Sequence, residues 1–427
     1  MTRDVSYAEK GLWFLHQTAS AGACNVSVAV QIRSELDVPR LLAAHDLVVA
    51  RHEALRTSYE VVDGALKAVA HEPGPAGGDV EEAPPGALLR EAVETEHTRP
   101  FELAGGRLSR IKVWRRADDD HIVLLTAHHA AVDWTAMIVC AFEICALYGA
   151  GLDEAGLPPL TAPYAEFVAE QQAALAGFDG EEAWRYWSQA LPAKRPEPPV
   201  AVSTSRSDRD GRHRVVTFSV GPEATRRIGK VSWAARVPPN VVVLALWVLA
   251  LRQESGDSTI AVGLPRSLRG RRFDRTVGCF TNTVPLFVEV DADAPPGVVI
   301  EAVRERLADS VPHQHYPFEL LAQRMPDLST VPGRAPVYDA TFNFVPRDAL
   351  GIAPLVTGAA DVTVELGGLR MKPFPTPPAI GPGADLSLHI TELQDGMAGM
   401  VSYEAGLFES HVAERVRDRL LTLIAQL

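Results

Sequence analysis

"LLTAHHAAVDWTAM", residues 124–137, sets two adjacent histidines at the end of an apolar run and follows them with an aspartate and a tryptophan. A polar pair in such a run is costly unless it is used. "DHIVLLTAHH" (120–129) reads as a buried strand, and apolar spacing turns helical from Ala136 to Tyr148. His128 and His129 are therefore expected in the loop between a strand end and a helix, a frequent place for a site. Neighbours on an extended chain point to opposite sides, so at most one of the two faces a given cavity. Asp133 is placed to cap the helix or to pair with a distant cation. From the residues alone three employments of the pair stay open: a polar stitch between loop and backbone, a metal site, or general-base and positioning chemistry. Adjacent histidines rarely ligate one ion, and no HExxH or cysteine cluster supports a metal. With no GxSxG elbow, an enzyme built on this loop is expected to move an acyl group directly, without a covalent intermediate.

Around this stretch lie 427 residues, 47% of them hydrophobic, enough for a large core and two halves. A formal net charge of −13 argues against a nucleic-acid partner. Cys24, Cys140, Cys145 and Cys279 form no CxxC pair, which fits a reducing cytoplasm. The first residues lack the apolar core of a signal peptide, and the longest apolar run, "VVVLALWVLAL" (241–251), is too short for a bilayer and reads as a buried helix. No membrane partner is expected, and the expected state is a monomer. Residues 191–212, rich in Pro, Ser and charge, read as a linker between halves at 1–190 and 213–427. Gly/Pro-rich breaks at 73–86 and 372–384 read as loops. "SRIKVWRRA" (109–117) and the strand from Asp120 pair around "DDD". Strands alternate with helices along the chain, which indicates an α/β class with a sheet in each half.

"HHAAVDW" resembles the HHxxxDG motif of condensation domains of nonribosomal peptide synthetases. Eight further segments resemble that family in its order. They are "SYAEKGLWFL" (6–15), "RHEALRTSY" (51–59), "YAEF" (164–167, with Phe167 for Tyr and Glu170 for Trp), "GLPRSLR" (263–269), "VGCFTNTVPL" (277–286), "HQHYPFELL" (313–321), "GRAPVYDATFNF" (333–344) and "YEAGLFES" (403–410). The resemblance covers essentially the whole chain. It implies two chloramphenicol-acetyltransferase-like halves arranged in a V as a pseudo-dimer, with a tunnel between them. It implies acyl transfer from a thioester on the phosphopantetheine arm of a donor carrier protein to an amine, free or on an acceptor carrier protein, giving an amide. The domain itself is expected to bind no cofactor, since the arm arrives with the substrate.

The resemblance also assigns roles. His129 faces the tunnel and accepts a proton from the acceptor amine or holds it; His128 turns away and supports the loop. Asp133 is structural and pairs with Arg269. Asn282 lines the tunnel floor, where its amide is placed to bond a substrate, while Phe280 and Pro285 pack. His52, Glu53 and Arg56 stabilise the fold, and Pro317 and Phe318 anchor a loop. Arg266, Arg271, Arg272 and Arg275 form a basic patch, open between contact with a carrier phosphate and a solvated loop. One position departs: Trp134 stands where the family has glycine, and the next two residues differ as well. Glycine supplies space and backbone freedom there. The indole either packs under the helix, narrows the tunnel, or fills its acceptor side. Two alternatives to amide formation therefore stay open: a modified reaction (ester formation, cyclisation or dehydration), and a non-catalytic platform that recruits a tailoring enzyme.

Overall fold

The computed structural model describes residues 2–18, 22–200, 213–329, 337–347, 351–358, 362–375 and 384–427. Most of the expected linker (201–212), the opening of the 333–344 motif and the centre of the 372–384 loop lie outside the described residues. The strands in chain order are β1 (Thr2–Asp4), β2 (Asn25–Ile32), β3 (Thr57–Val62), β4 (Ala65–Ala70), β5 (Gly78–Glu82), β6 (Ser109–Ala117), β7 (Asp120–His128), β8 (His213–Val220), β9 (Thr259–Ser267) and β10 (Thr281–Glu289). After them come β11 (Ala340–Val345), β12 (Val364–Leu366), β13 (Leu369–Pro373), β14 (Leu386–Leu393) and β15 (Gly396–Glu404). They form a six-stranded sheet β12-β13-β2-β7-β6-β5, a second six-stranded sheet β10-β9-β11-β14-β15-β8, and a small sheet β1-β4-β3.

Two compact units carry these sheets. Unit 1 comprises Met1–Ala173, Arg269–Thr281 and Asp348–Gly381; unit 2 comprises Ala174–Leu268, Asn282–Arg347 and Pro382–Leu427. The sequence borders assign 269–281 and 348–381 to the second half, whereas here both segments pack into unit 1. The reason is pairing: β13 binds the free edge of β2, with Met371 opposite Ile32, and β12 adds to β13. The described part of the expected linker is no loose spacer. Arg195 is buried and its guanidinium donates to Asp339 at 2.9 Å, inside unit 2.

In unit 1, β7 runs antiparallel between β2 and β6, with Asn25 opposite His128 and Ala117 opposite Asp120 across the "DDD" turn. Neighbours on both edges and burial on both faces explain its unbroken apolar run. The expected loop at 73–86 needs correction, because Gly78–Glu82 is a strand, parallel to β6 at the sheet edge. An edge strand needs backbone pairing but no apolar side chains, so "GDVEE" carries no strand pattern. Side chains across the pair fasten it: Lys112 bonds Asp79 (3.3 Å) and Glu81 (3.0 Å), and the Trp114 indole donates to Glu81 at 2.6 Å. Gly78 sits close beneath Leu42, whose side-chain tip would have to shift to admit a Cβ, 2.4 Å away. In unit 2 the helix Pro239–Arg252 is buried from Val241 to Leu251, which explains why it is apolar all round. No single helix among the described residues is long and apolar enough to cross a membrane.

Burial holds two unit 1 histidines neutral. His45 bonds Ser109 at 2.8 Å and His97 bonds Ser27 at 2.8 Å, and desolvation pushes each from 6.5 down to about 4. Below pH 6.5 the unfolded chain takes up protons that the folded chain refuses until about pH 4. Stability therefore falls as pH drops through that window, by about 3 kcal/mol per histidine. Thermal melts at several pH values should show this slope, and His97→Gln should flatten it.

Candidate active site

The loop after β7 gives the two histidines opposite employments. His128 continues the strand and is fully buried. Its Nδ1 accepts the Ala130 N–H at 3.1 Å, so in the neutral ring Nε2 carries the hydrogen and is directed at His16 Nδ1, 3.3 Å away. The rings of His16 and Phe101 meet it edge-on. Desolvation, reinforced by His16 and His129, pushes His128 down to about 3. A proton would have to displace one of these bonds, so this ring is a fixed neutral strut.

His129 is half-buried. Its backbone N–H donates to the Cys24 carbonyl at 2.8 Å, and its Nδ1 lies 2.8 Å from the Val132 carbonyl. Only an N–H can bond a carbonyl, so in the neutral ring Nδ1 holds the hydrogen and Nε2 the lone pair. In that tautomer Nε2 is an acceptor, the form a general base needs. Cys279 Sγ stands 3.8 Å from Nδ1 on the inner side. Tyr59 steadies the loop from beneath. Its hydroxyl lies 2.9 Å from Glu9 Oε1 and 3.3 Å from the Ala130 carbonyl.

Asp133 caps the helix Trp134–Gly149, its Oδ1 accepting from the Ala136 N–H at 2.7 Å. The same oxygen accepts from Arg269 at 3.0 Å, and Oδ2 accepts from the Phe280 N–H at 3.0 Å. Arg269 also donates to the carbonyls of Phe273 (2.7 Å) and Thr276 and lies 4.0 Å over the Phe280 ring. The pair is almost dry, with side-chain exposures of 5% for Arg269 and 2% for Asp133. It ties segment 269–281 to the histidine loop, and both Asp133 oxygens are engaged by protein donors. Gly278 completes the joint: its carbonyl accepts from the Asp133 N–H at 3.2 Å, and a Cβ there would lie 2.3 Å from the Tyr164 ring.

Trp134 opens the helix, half-buried against the unit 1 core. Its backbone is ordinary right-handed helix, so the position does not itself demand glycine. Among the described residues no ring pair joins the indole to His129, the nearest imidazole in sequence.

Asn282 is placed elsewhere than the resemblance implies. Its amide donates to the carbonyls of Gln314 (2.8 Å) and Tyr316 (2.8 Å), and its Oδ1 accepts from the Phe318 N–H at 2.9 Å. Both amide hydrogens are used on the 313–318 loop inside unit 2, leaving none for a substrate. Phe280 packs, in a cluster with Tyr164, Phe167 and Phe273. Arg272 of the basic patch bonds Glu166 (3.1 Å) and Glu170, so the residue that replaces tryptophan in the "YAEF" segment has a cation to hold.

Two residues that sequence reading missed support the loop and its helix. Glu143 is the sole charged residue of Trp134–Gly149 and is fully buried; it bonds His52 at 2.8 Å and pairs with Arg51 at 3.4 Å. That lone charge in an apolar helix was the available signal. Glu9 closes a capping box with Ser6 and holds Arg3 through both oxygens, at 2.9 and 2.6 Å. The spacing Ser6-x-x-Glu9 announces it. Among the described residues no group of three or more His, Cys, Asp and Glu side chains is placed to hold a metal ion.

The sequence matches the family profile described as Condensation domain over residues 2–427. The chain belongs to the condensation domain family. This condensation domain is of the nonribosomal peptide synthetase type. It is 29% identical to the isonitrile lipopeptide synthase of Mycobacterium tuberculosis over 97% of its own length and 17% of that protein. With tyrocidine synthase 3 of Brevibacillus parabrevis it shares 28% over 98% of its length and 6% of the synthase. The condensation domain thus spans only a small part of these relatives. Its fold is that of solved condensation-type structures. The first condensation domain of the calcium-dependent antibiotic synthetase, in complex with substrate analogue 3a, superposes with a TM-score of 0.81 at 20% identity, over 100% of this chain and 96% of that one. The X-domain from teicoplanin biosynthesis, in complex with OxyB, superposes with a TM-score of 0.82 at 22% identity, over 99% and 92%.

Proposed function

We propose that this condensation domain forms an amide by direct acyl transfer from a carrier-borne phosphopantetheine thioester to an amine, with donor and acceptor carrier proteins as partners. The observation that carries this reading is the His129 ring, locked at Nδ1 by Val132 and presenting a free Nε2 lone pair. The amine nitrogen attacks the thioester carbonyl, a C–N bond forms and the C–S bond breaks. The amine proton passes by way of Nε2 to the departing sulfur, which leaves as the thiol of the arm. Asp133, Arg269 and His128 position His129 without touching the reacting atoms. Intact-mass analysis of loaded carriers incubated with the protein tests the proposal: the acyl group should move from donor to acceptor.

A second reading rests on Trp134 and on the likeness to an X-domain whose structure holds OxyB. If the domain is a recruiting platform, the wild type moves no acyl group from any donor and binds a tailoring enzyme measurably. Trp134→Gly separates the two. The backbone there accepts either residue, so the variant is expected to fold with a modest loss of stability. On the acyl-transfer reading its turnover with bulky amines should rise tenfold or more. Unchanged scope would place the indole outside the acceptor path.

A further inference from the structure

In unit 2, β11, β14 and β15 lie side by side, and alternate residues face opposite ways. Ala340, Phe342, Leu386, Leu388, Ile390 and Val401 enter the apolar core. The residues between them are of another kind: Thr341 and Asn343 on β11, Ser387 and His389 on β14, Ser402 on β15. Register sets them in two rows, Thr341 beside Ser387 beside Ser402, and one step along Asn343 beside His389 beside Met400. Across β11 from Thr341 lies Gly263, where the Tyr338 ring occupies the space a Cβ would need, 2.6 Å away.

Bonding on this face is incomplete. Thr341 donates to the Ser387 hydroxyl at 2.7 Å, which leaves the Ser387 hydrogen for another acceptor. His389 Nε2 and Ser402 Oγ are buried without a partner among the described residues. Two orphaned polar atoms on one face mark a place for a missing partner, because each left unpaired costs about 1–3 kcal/mol. Thr341, Asn343 and His389 are half-buried and border the face, whereas His389 Nε2 and Ser402 Oγ lie beneath the surface, so a ligand reaches them only as the neighbouring side chains shift. Neither of the two rows, Thr341–Ser387–Ser402 or Asn343–His389–Met400, contains an Asp, Glu, Lys or Arg. Burial pushes His389 down to about 4 and keeps it neutral, and Glu404 at the strand end faces His213 at 3.5 Å.

We propose that this face is a subsite for an uncharged hydrogen-bonding group, a hydroxyl or carboxamide, carried by the thioester substrate and held by His389, Ser387, Ser402, Asn343 and Thr341. The proposal rests on the acyl-transfer reading for the source of that group. The source is either the side chain of the acyl unit or the amides of the pantetheine arm.

The test is calorimetric titration of pantetheine, and of pantetheine amides of serine, asparagine, alanine, leucine and aspartate, into His129→Ala protein with and without His389→Phe. If the side chain is the source, the serine and asparagine amides bind about tenfold tighter than alanine and leucine, and His389→Phe removes the gap. If the arm is the source, pantetheine alone weakens about tenfold in His389→Phe and the amides show no gap. Affinities indifferent to His389→Phe, or tightest for the aspartate amide, overturn the proposal. Ser402→Ala provides a second variant should His389→Phe fail to fold, which thermal melts reveal. Binding is read without turnover. A persistent gap alongside a wild type that forms no product would sink the acyl-transfer reading and leave the subsite standing.

Discussion

Replacing His129 by alanine is expected to lower product formation on loaded carriers by about 10²–10⁴-fold, the usual worth of a positioned acid–base group. The ring is half-buried, its bond to Val132 is local and its contact with the Cys279 thiol is long, so the fold should survive with little change in melting temperature. The pair of measurements matters. Loss of product with an intact melt assigns the effect to Nε2, while loss of both would return His129 to the role of a stitch. His128→Ala should behave oppositely. That ring braces Ala130 and His16 in the dry interior, so stability falls first and activity follows from the displaced loop.

The second large effect is expected at Asp133. Asp133→Ala strands the Arg269 guanidinium in a nearly dry site and frees the Phe280 N–H and the helix cap. Breaking one side of such a pair costs about 3–5 kcal/mol. Thermal or chemical denaturation should register that loss, with activity falling in proportion to unfolding. A paired replacement, Asp133→Leu with Arg269→Met, should recover a substantial part, because no lone charge remains. A double-mutant cycle that returned simple additivity would remove the ion pair as the fastening of segment 269–281.

Local chemistry was the legible part of this molecule. The strand–loop–helix around His128 and His129, the "DDD" hairpin and the helices with apolar spacing all follow from patterns within about fifteen residues. The roles of Asp133 and Arg269 became readable through the motifs they sit in, although 136 positions separate them. What escaped depends on distant partners. β5 has no apolar alternation because an edge strand borrows its order from β6. Asn282 looked like a substrate ligand because its side chain can serve either purpose, and only the carbonyls of Gln314 and Tyr316 decide between them. The assignment of 348–381 to unit 1 is invisible to any window, since it is set by the exposed edge of β2.

That edge has a consequence for synthesis. Ile32 meets Met371 only after 339 further residues have been made. At about 5–20 residues per second, β2 waits roughly 20–70 s for its neighbour. Its sequence, "NVSVAVQI", is uncharged, apolar in alternation and rich in valine, the composition that recruits foreign strands. Nascent chains stalled before residue 369 should therefore aggregate or hold chaperones.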